Sequence, residues 1–181
     1  MGSNPTGPVQ ESGCMKRILE ISDSDVGFQP MEKTERPRTA ARAILRRKGL
    51  VALLRVSKHN YYKLPGGGLE EGESVQEGLE REVLEEVGCS IRVKGEVGES
   101  VEHRTHIGVV QTSNCFLAEA MKEGKPRFMD DEVADGFRLL WVSLDEAIRL
   151  VGNSKPDTYD GRFIVKRDLE FLKAAKRLRR S

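Results

Sequence analysis

Apolar positions along the chain alternate between two periods. From Ala40, the runs Ala43-Ile44-Leu45 and Leu50-Val51-Ala52-Leu53-Leu54 flank Arg46-Arg47-Lys48-Gly49. This predicts two strands joined by a tight turn whose glycine takes positive φ. Between Ser74 and Gly88 the apolar residues recur at helical spacing instead. Ser74 with Glu77 forms an S-x-x-E capping box and Gly88 supplies a left-handed stop, so a helix is predicted over about 75 to 87. Further on, 91 to 97, 101 to 102, 107 to 118 and 139 to 142 carry the β-branched and apolar content of strands. Ser143-Leu144-Asp145-Glu146 repeats the capping pattern before a short helix ending near Gly152, and a last helix is expected from about Phe163 to Leu178.

The remaining segments punctuate this pattern. Residues 1 to 15, rich in Gly, Ser, Pro and Asn in their first part, read as disordered or vector-derived, with Met15-Lys16-Arg17 a second possible start. Residues 16 to 38 read as an N-terminal arm that can supply a small strand, 38 to 152 as the functional domain, and 153 to 181 as a helical extension packed on it. Leu64-Pro65-Gly66-Gly67-Gly68 is a loop: Pro65 stops regular structure and the glycines permit close backbone approach.

At 181 residues the chain fits one domain with extensions. Thirty Lys and Arg nearly cancel 29 Asp and Glu, which argues against a global basic field for nucleic acid. No apolar run approaches the roughly 20 residues needed to span a bilayer. Cys14, Cys89 and Cys115 are too dispersed for a zinc site or a disulfide framework, so a reducing cytoplasm is the expected location. The basic end, including Lys173, Lys176, Arg177, Arg179 and Arg180, reads as a solvated helix terminus.

Charge becomes informative only on the helix after Ser74. At about 100° per residue, Glu86 falls near +40° and Glu85 near −60° of Glu82, so the three carboxylates share one arc, with Leu79, Val83, Leu84 and Val87 expected on a neighbouring apolar face. Carboxylates that close repel one another unless a cation sits among them, and oxygen-only ligands select magnesium or manganese. A solvated acidic face is the alternative reading of the helix alone.

The surrounding residues favour the metal reading. Gly67, five residues, Glu73, seven residues and Arg81-Glu82-Val83-Leu84-Glu85-Glu86-Val87-Gly88-Cys89 resemble the box of the Nudix hydrolases, G-x5-E-x7-R-E-U-x-E-E-x-G-U with U apolar; Cys89 is an atypical final U. Tyr62-Lys63-Leu64-Pro65-Gly66-Gly67 is similar to the family's entry into the box, and Trp141-Val142-Ser143-Leu144-Asp145-Glu146-Ala147 to its later strand-to-helix turn. The resemblance implies an α/β fold, an α/β/α sandwich with a mixed central β-sheet and the box as a loop-helix-loop at its side. It also implies Mg2+- or Mn2+-dependent hydrolysis of a phosphoric anhydride in a nucleoside-diphosphate compound.

Carried over by position, it makes Glu82, Glu85 and Glu86 metal ligands, one of them or a loop acid serving as base; Glu132 of Asp130-Asp131-Glu132 is the candidate for a further ligand from a later loop, with a solvated turn as the equal alternative. Arg81, one turn from Glu77 and Glu85, is read as orienting the acids. Gly66, Gly67, Gly68 and Tyr62 are candidate substrate contacts, Tyr62 alternatively packing beneath the loop; Glu73 and Gly88 are structural supports. His103, His106 and Trp141 are read as packing or surface residues first. The downstream proline and tyrosine similar to markers of ADP-ribose and dinucleoside-polyphosphate hydrolases are missing, which leaves MutT-like nucleoside triphosphates as the default. ADP-ribose, dinucleotides and a non-catalytic nucleotide-sensing role are the alternatives. Homodimers are a family analogy only.

Overall fold

The computed structural model describes residues 15–178; Cys14, Arg179, Arg180 and the expectation for residues 1 to 14 lie outside them. In chain order the elements are β1 (Arg17–Ile21), β2 (Arg36–Arg47), β3 (Leu50–Val56), β4 (Tyr61–Lys63), α1 (Val75–Val87), β5 (Cys89–Arg104), β6 (Val109–Glu123), α2 (Asp130–Ala134), β7 (Phe137–Val142), α3 (Leu144–Gly152) and α4 (Tyr159–Leu178). Seven strands form one sheet in the order β1-β5-β6-β2-β3-β4, with β7 on β3. β1 runs parallel to β5 and β2 parallel to β6, while the other pairs are antiparallel, so the sheet is mixed.

Alternation along β2 divides the core. Ala41, Ala43 and Leu45 pack with Leu79, Val83 and Val87 of α1 on one face. Ile44 joins Leu144, Ala147, Val151, Phe171 and Leu172 of α3 and α4 on the other. The expected α/β/α sandwich is what forms. The 45-to-50 hairpin closes through Lys48 and Gly49, both at positive φ (49° and 80°), a turn whose twist suits paired strands. Among the described residues no helix is long and apolar enough to cross a membrane, and Cys89 and Cys115 are both buried.

Three departures from the sequence pattern have physical causes. β5 is one strand of 16 residues because register shifts at 89/91, 93/95 and 96/98 reset the side-chain alternation that had suggested two pieces. α4 starts at Tyr159, four residues earlier than expected, and passes through Gly161, where a side chain would collide with Thr158, Pro156 and Tyr61. Leu84, assigned to the apolar face, is 55% exposed, while Glu86 is 2% exposed. Leu79, Val83 and Val87 centre the buried arc near +100°, so Glu86 at about +40° is about 60° from that centre and Leu84 at about 200° is about 100° from it.

Candidate active site

α1 begins as its sequence dictates. Ser74 Oγ accepts from Glu77 N while the Glu77 carboxylate accepts from Ser74 N (2.9 Å), and Gly88 at φ 76° ends the helix with its N–H on Val83 O and Leu84 O. A side chain at 88 would strike the Lys125 backbone at 2.3 Å, so this glycine is also a packing requirement. The loop ahead of α1 runs along β2: Ala43 N donates to Pro65 O and Ala41 N to Gly67 O, each at 3.0 Å. That lays residues 65 to 68 against the box helix.

Arg81 organises the acids. Its Nε donates to Glu73 Oε1 (2.7 Å), Nη2 to Glu73 Oε2 (3.0 Å) and Gly68 O (3.1 Å), and Nη1 to Glu82 Oε1 (2.9 Å). Glu85 is 3.7 Å from Nη1, and its side chain is 41% exposed. Glu73 also accepts from Glu70 N (2.7 Å), closing the loop on itself; the Arg81 hydrogen bonds, aided by Glu70 N, hold the Glu73 carboxyl down at about 2. The acidic neighbours that Arg81 hydrogen-bonds are Glu73 and Glu82. Glu77, the other neighbour anticipated for it, is engaged by the Ser74 cap.

Glu86 has a different setting. Its Oε1 accepts from Lys63 Nζ at 2.7 Å and its Oε2 from Gly66 N at 2.7 Å. Burial pushes its carboxyl above the ordinary range, with the Lys63 ammonium and the Gly66 N–H pulling the other way. Lys63 Nζ also lies 5.1 Å from the centre of the Phe137 ring, which packs edge-on against Phe128.

The three glycines are tightly confined. A Cβ on Gly66, at φ 127°, would sit 2.1 Å from Ala41 O; one on Gly67 would overlap the Glu82 carboxylate at 2.3 to 2.5 Å; one on Gly68 would meet the Arg38 guanidinium at 2.5 Å. Glu82, Glu85, Glu86, Arg81, Glu73 and Gly66 to Gly68 are therefore brought together. Glu132, on α2, is half-buried and its oxygen accepts from Met129 N (2.8 Å). Burial raises its carboxyl, and the Met129 N–H and the Lys63 charge oppose that.

Other candidates lie elsewhere. Tyr62 packs against the cluster beneath α3 and α4, on the sheet face opposite the one α1 covers. His103 bridges Glu20 (3.1 Å) and Glu35 (3.3 Å), and His106 packs edge-on against Phe28 and tilted against Tyr159, so both fasten the N-terminal arm. Trp141 packs on the α1 side with the Arg47 guanidinium 4.0 Å above its ring.

Sequence reasoning missed Lys63, which pairs with Glu86, Phe137 beside Lys63, Arg38 beside Gly68, and a buried ionic network behind the loop. In that network Arg42 is almost wholly buried, and burial, reinforced by the nearby Arg167 charge, lowers its guanidinium to about 10. Lys63 alone left a trace, being inside the motif-bearing segment. The others are joined to the site only by chain folding.

As the side chains stand, Arg81 and Lys63 occupy the carboxylates, and among the described residues no three Asp, Glu, His or Cys side chains converge on a metal-binding point. The donor set nonetheless suits a hard dication: it is all oxygen, it lies within one helical arc, and the missing Cβ of Gly67 leaves room for the Glu82 carboxylate.

With loop, helix and carboxylates in these positions, the architecture is that of a phosphoanhydride-cleaving enzyme. The NUDIX domain family profile matches residues 35–162, and the chain belongs to the Nudix family, whose members generally use divalent metals to hydrolyse nucleotide-type compounds. It is 30% identical over 114 residues to an RNA pyrophosphohydrolase of Sulfurovum sp. (strain NBC37-1), covering 58% of this chain and 73% of that protein. A NUDIX hydrolase from Nitrosomonas europaea superposes with a TM-score of 0.57 at 24% identity, covering 78% of this chain and 91% of the other. The MutT protein from Methanosarcina mazei gives 0.53 at 23% identity, covering 81% and 99%. At those identities the structural likeness speaks to the fold.

Proposed function

We propose that the protein uses Mg2+, with Mn2+ as substitute, to hydrolyse a pyrophosphate bond of a nucleoside triphosphate or a related nucleoside-diphosphate compound. The observation that carries this reading is the arrangement of three box carboxylates on α1 against the Gly66–Gly68 loop, Glu82 and Glu85 beside Arg81 and Glu86 on the Gly66 N–H. Glu82, Glu85 and Glu86 would hold the metal, with Glu132 as a further ligand from the neighbouring segment. Bound there, the metal supplies charge neutralisation at the phosphates and acidifies water.

The residues of the chain do the rest. Arg81 keeps Glu82 turned toward Gly67, and Gly66 N–H keeps Glu86 turned toward the loop. Glu85, the most exposed of the three and 3.7 Å from Arg81, is assigned the part of proton acceptor. The oxygen of an attacking water forms a bond to phosphorus, the bridging P–O bond breaks, the water proton passes to the carboxylate, and the displaced phosphate departs with the bond electrons. Arg38 beside Gly68 and Lys63 beside Glu86 supply cationic contacts for phosphate oxygens.

A second reading, a 5′-polyphosphate end of RNA as substrate, is supported by the RNA pyrophosphohydrolase relative. The test is phosphate and nucleotide release with magnesium from nucleoside triphosphates, oxidised nucleotides, ADP-ribose, dinucleoside polyphosphates and a short 5′-triphosphate RNA, for wild type, Glu85→Gln and Glu86→Gln. Metal-dependent turnover that both substitutions abolish is expected. Nucleotide binding without turnover, unchanged by either substitution, would replace this proposal with a sensing role.

A further inference from the structure

The C-terminal helix reaches the catalytic loop from behind. Arg167 and Asp168 on α4 are both fully buried, adjacent in sequence and bonded to each other, Arg167 Nε donating to Asp168 Oδ1 at 2.7 Å. Arg167 Nη1 donates onward to Glu102 Oε1 of β5 at 3.3 Å, and the same oxygen accepts from Ser113 Oγ at 3.1 Å. The ion pair is thereby anchored to two central strands. The other oxygen of Asp168 accepts from Leu64 N at 2.7 Å.

That hydrogen bond falls at a sensitive place. β4 ends at Lys63, whose ladder partner is Leu54, and Pro65 has no N–H, so Leu64 carries the last amide before Gly66. Leu64 is itself fully buried, where an amide requires an acceptor. Two residues later Gly66 N grips Glu86, and the next residue, Gly67, abuts the Glu82 carboxylate. A displacement of Leu64 is therefore transmitted along three residues to two of the box acids.

We propose that Asp168 is a positioning residue, which fixes the Leu64–Gly67 loop through the Leu64 N–H and so sets Glu86, with Arg167 holding Asp168 in register. This rests on the reading of Glu86 as a metal-holding carboxylate. An asparagine at 168 is an instructive change: if its carbonyl keeps Leu64, its NH2 is turned on Arg167 Nε–H, donor against donor.

The experiment compares wild type, Asp168→Asn and Arg167→Lys by amide hydrogen exchange, magnesium-binding calorimetry and steady-state kinetics. For Asp168→Asn, exchange confined to residues 62 to 68 should accelerate about tenfold or more, with α1 protection unchanged. Magnesium binding should weaken, and kcat should fall by about 10- to 100-fold with KM moving less than about threefold. If Asp168→Asn does not fold, Arg167→Lys decides on the same readouts: lysine keeps the charge but lacks the planar fork whose Nε and Nη1 reach Asp168 and Glu102 separately. Wild-type exchange at Leu64 and Gly66, wild-type kcat, or exchange raised uniformly over the sheet and α4 would overturn the positioning role. If the wild type hydrolyses nothing in the panel, the functional proposal fails by itself, and exchange with calorimetry still decides the part of Asp168.

Discussion

Gly67→Ala separates chemistry from folding most sharply. The backbone at 67 is not in the left-handed region, so alanine is tolerated there conformationally. Its methyl would nevertheless lie 2.3 Å from Glu82 Oε1, 2.4 Å from Cδ and 2.5 Å from Oε2. Ordinary contact begins near 3.4 Å, so the carboxylate must retreat by about 1 Å, a misplacement that can cost about 100-fold in rate, or about 2.7 kcal/mol of barrier. The stability loss is smaller, because only the Arg81–Glu82 bond is disturbed while Arg81 keeps Glu73 and Gly68. For a partly exposed pair that is about 1 kcal/mol, or about 2–4 °C in melting temperature. Gly66→Ala is the contrast: φ 127° and a collision with Ala41 O at 2.1 Å require the backbone itself to move, which should remove more than about 2 kcal/mol. Turnover of the best substrate in the panel, measured beside thermal unfolding, tests both. Gly67→Ala with kcat within about threefold of wild type, or as unstable as Gly66→Ala, would refute the reasoning.

Three further outcomes follow from the same geometry. Lys63→Met leaves the buried Glu86 carboxylate without its cation and should destabilise the metal-free protein by about 3 kcal/mol at pH 8; because the Glu86 carboxyl is raised in the folded state, its ionisation opposes folding as pH rises, so urea denaturation should show a smaller deficit at pH 5. Glu102 is lowered to about 2 from an ordinary 4.5: burial opposes ionisation, but Arg167 and Arg104 overcome it, so it contributes on the order of 3 kcal/mol. That contribution is fully present above pH 4.5 and lost as pH falls toward 2, and Glu102→Gln should flatten the acid limb of a urea-midpoint profile. Leu79→Ala, at a fully buried position, should lower unfolding free energy by about 2–5 kcal/mol, whereas Leu84→Ala, on the exposed face, should change it by less than about 0.5 kcal/mol; equal losses in chemical denaturation would show that the face of α1 is wrongly placed.

Local chemistry carried much of this protein in plain view. α1 forms between Val75 and Val87 because Ser74, Glu77 and Gly88 act within a turn of its ends, and the hairpin closes at Lys48–Gly49 for the same short-range reason. The box residues were legible because their spacing is a property of one helix and its entry loop. Tertiary structure decided what lies beyond that reach. The continuous bulged β5 and the early start of α4 at Tyr159 depend on partners distant in sequence. Leu84 faces outward and Glu86 inward because the sheet selects which arc of α1 it covers, and an apolar residue beside that arc has no claim on it. The partners of the site follow the same rule: Lys63 meets Glu86 23 residues away and Asp168 meets Leu64 at a separation of 104. A charged residue's sequence neighbours set its type and periodicity, but burial and pairing belong to the packed sheet, where an amide or carboxylate removed from water must find its counterpart wherever the fold has put it.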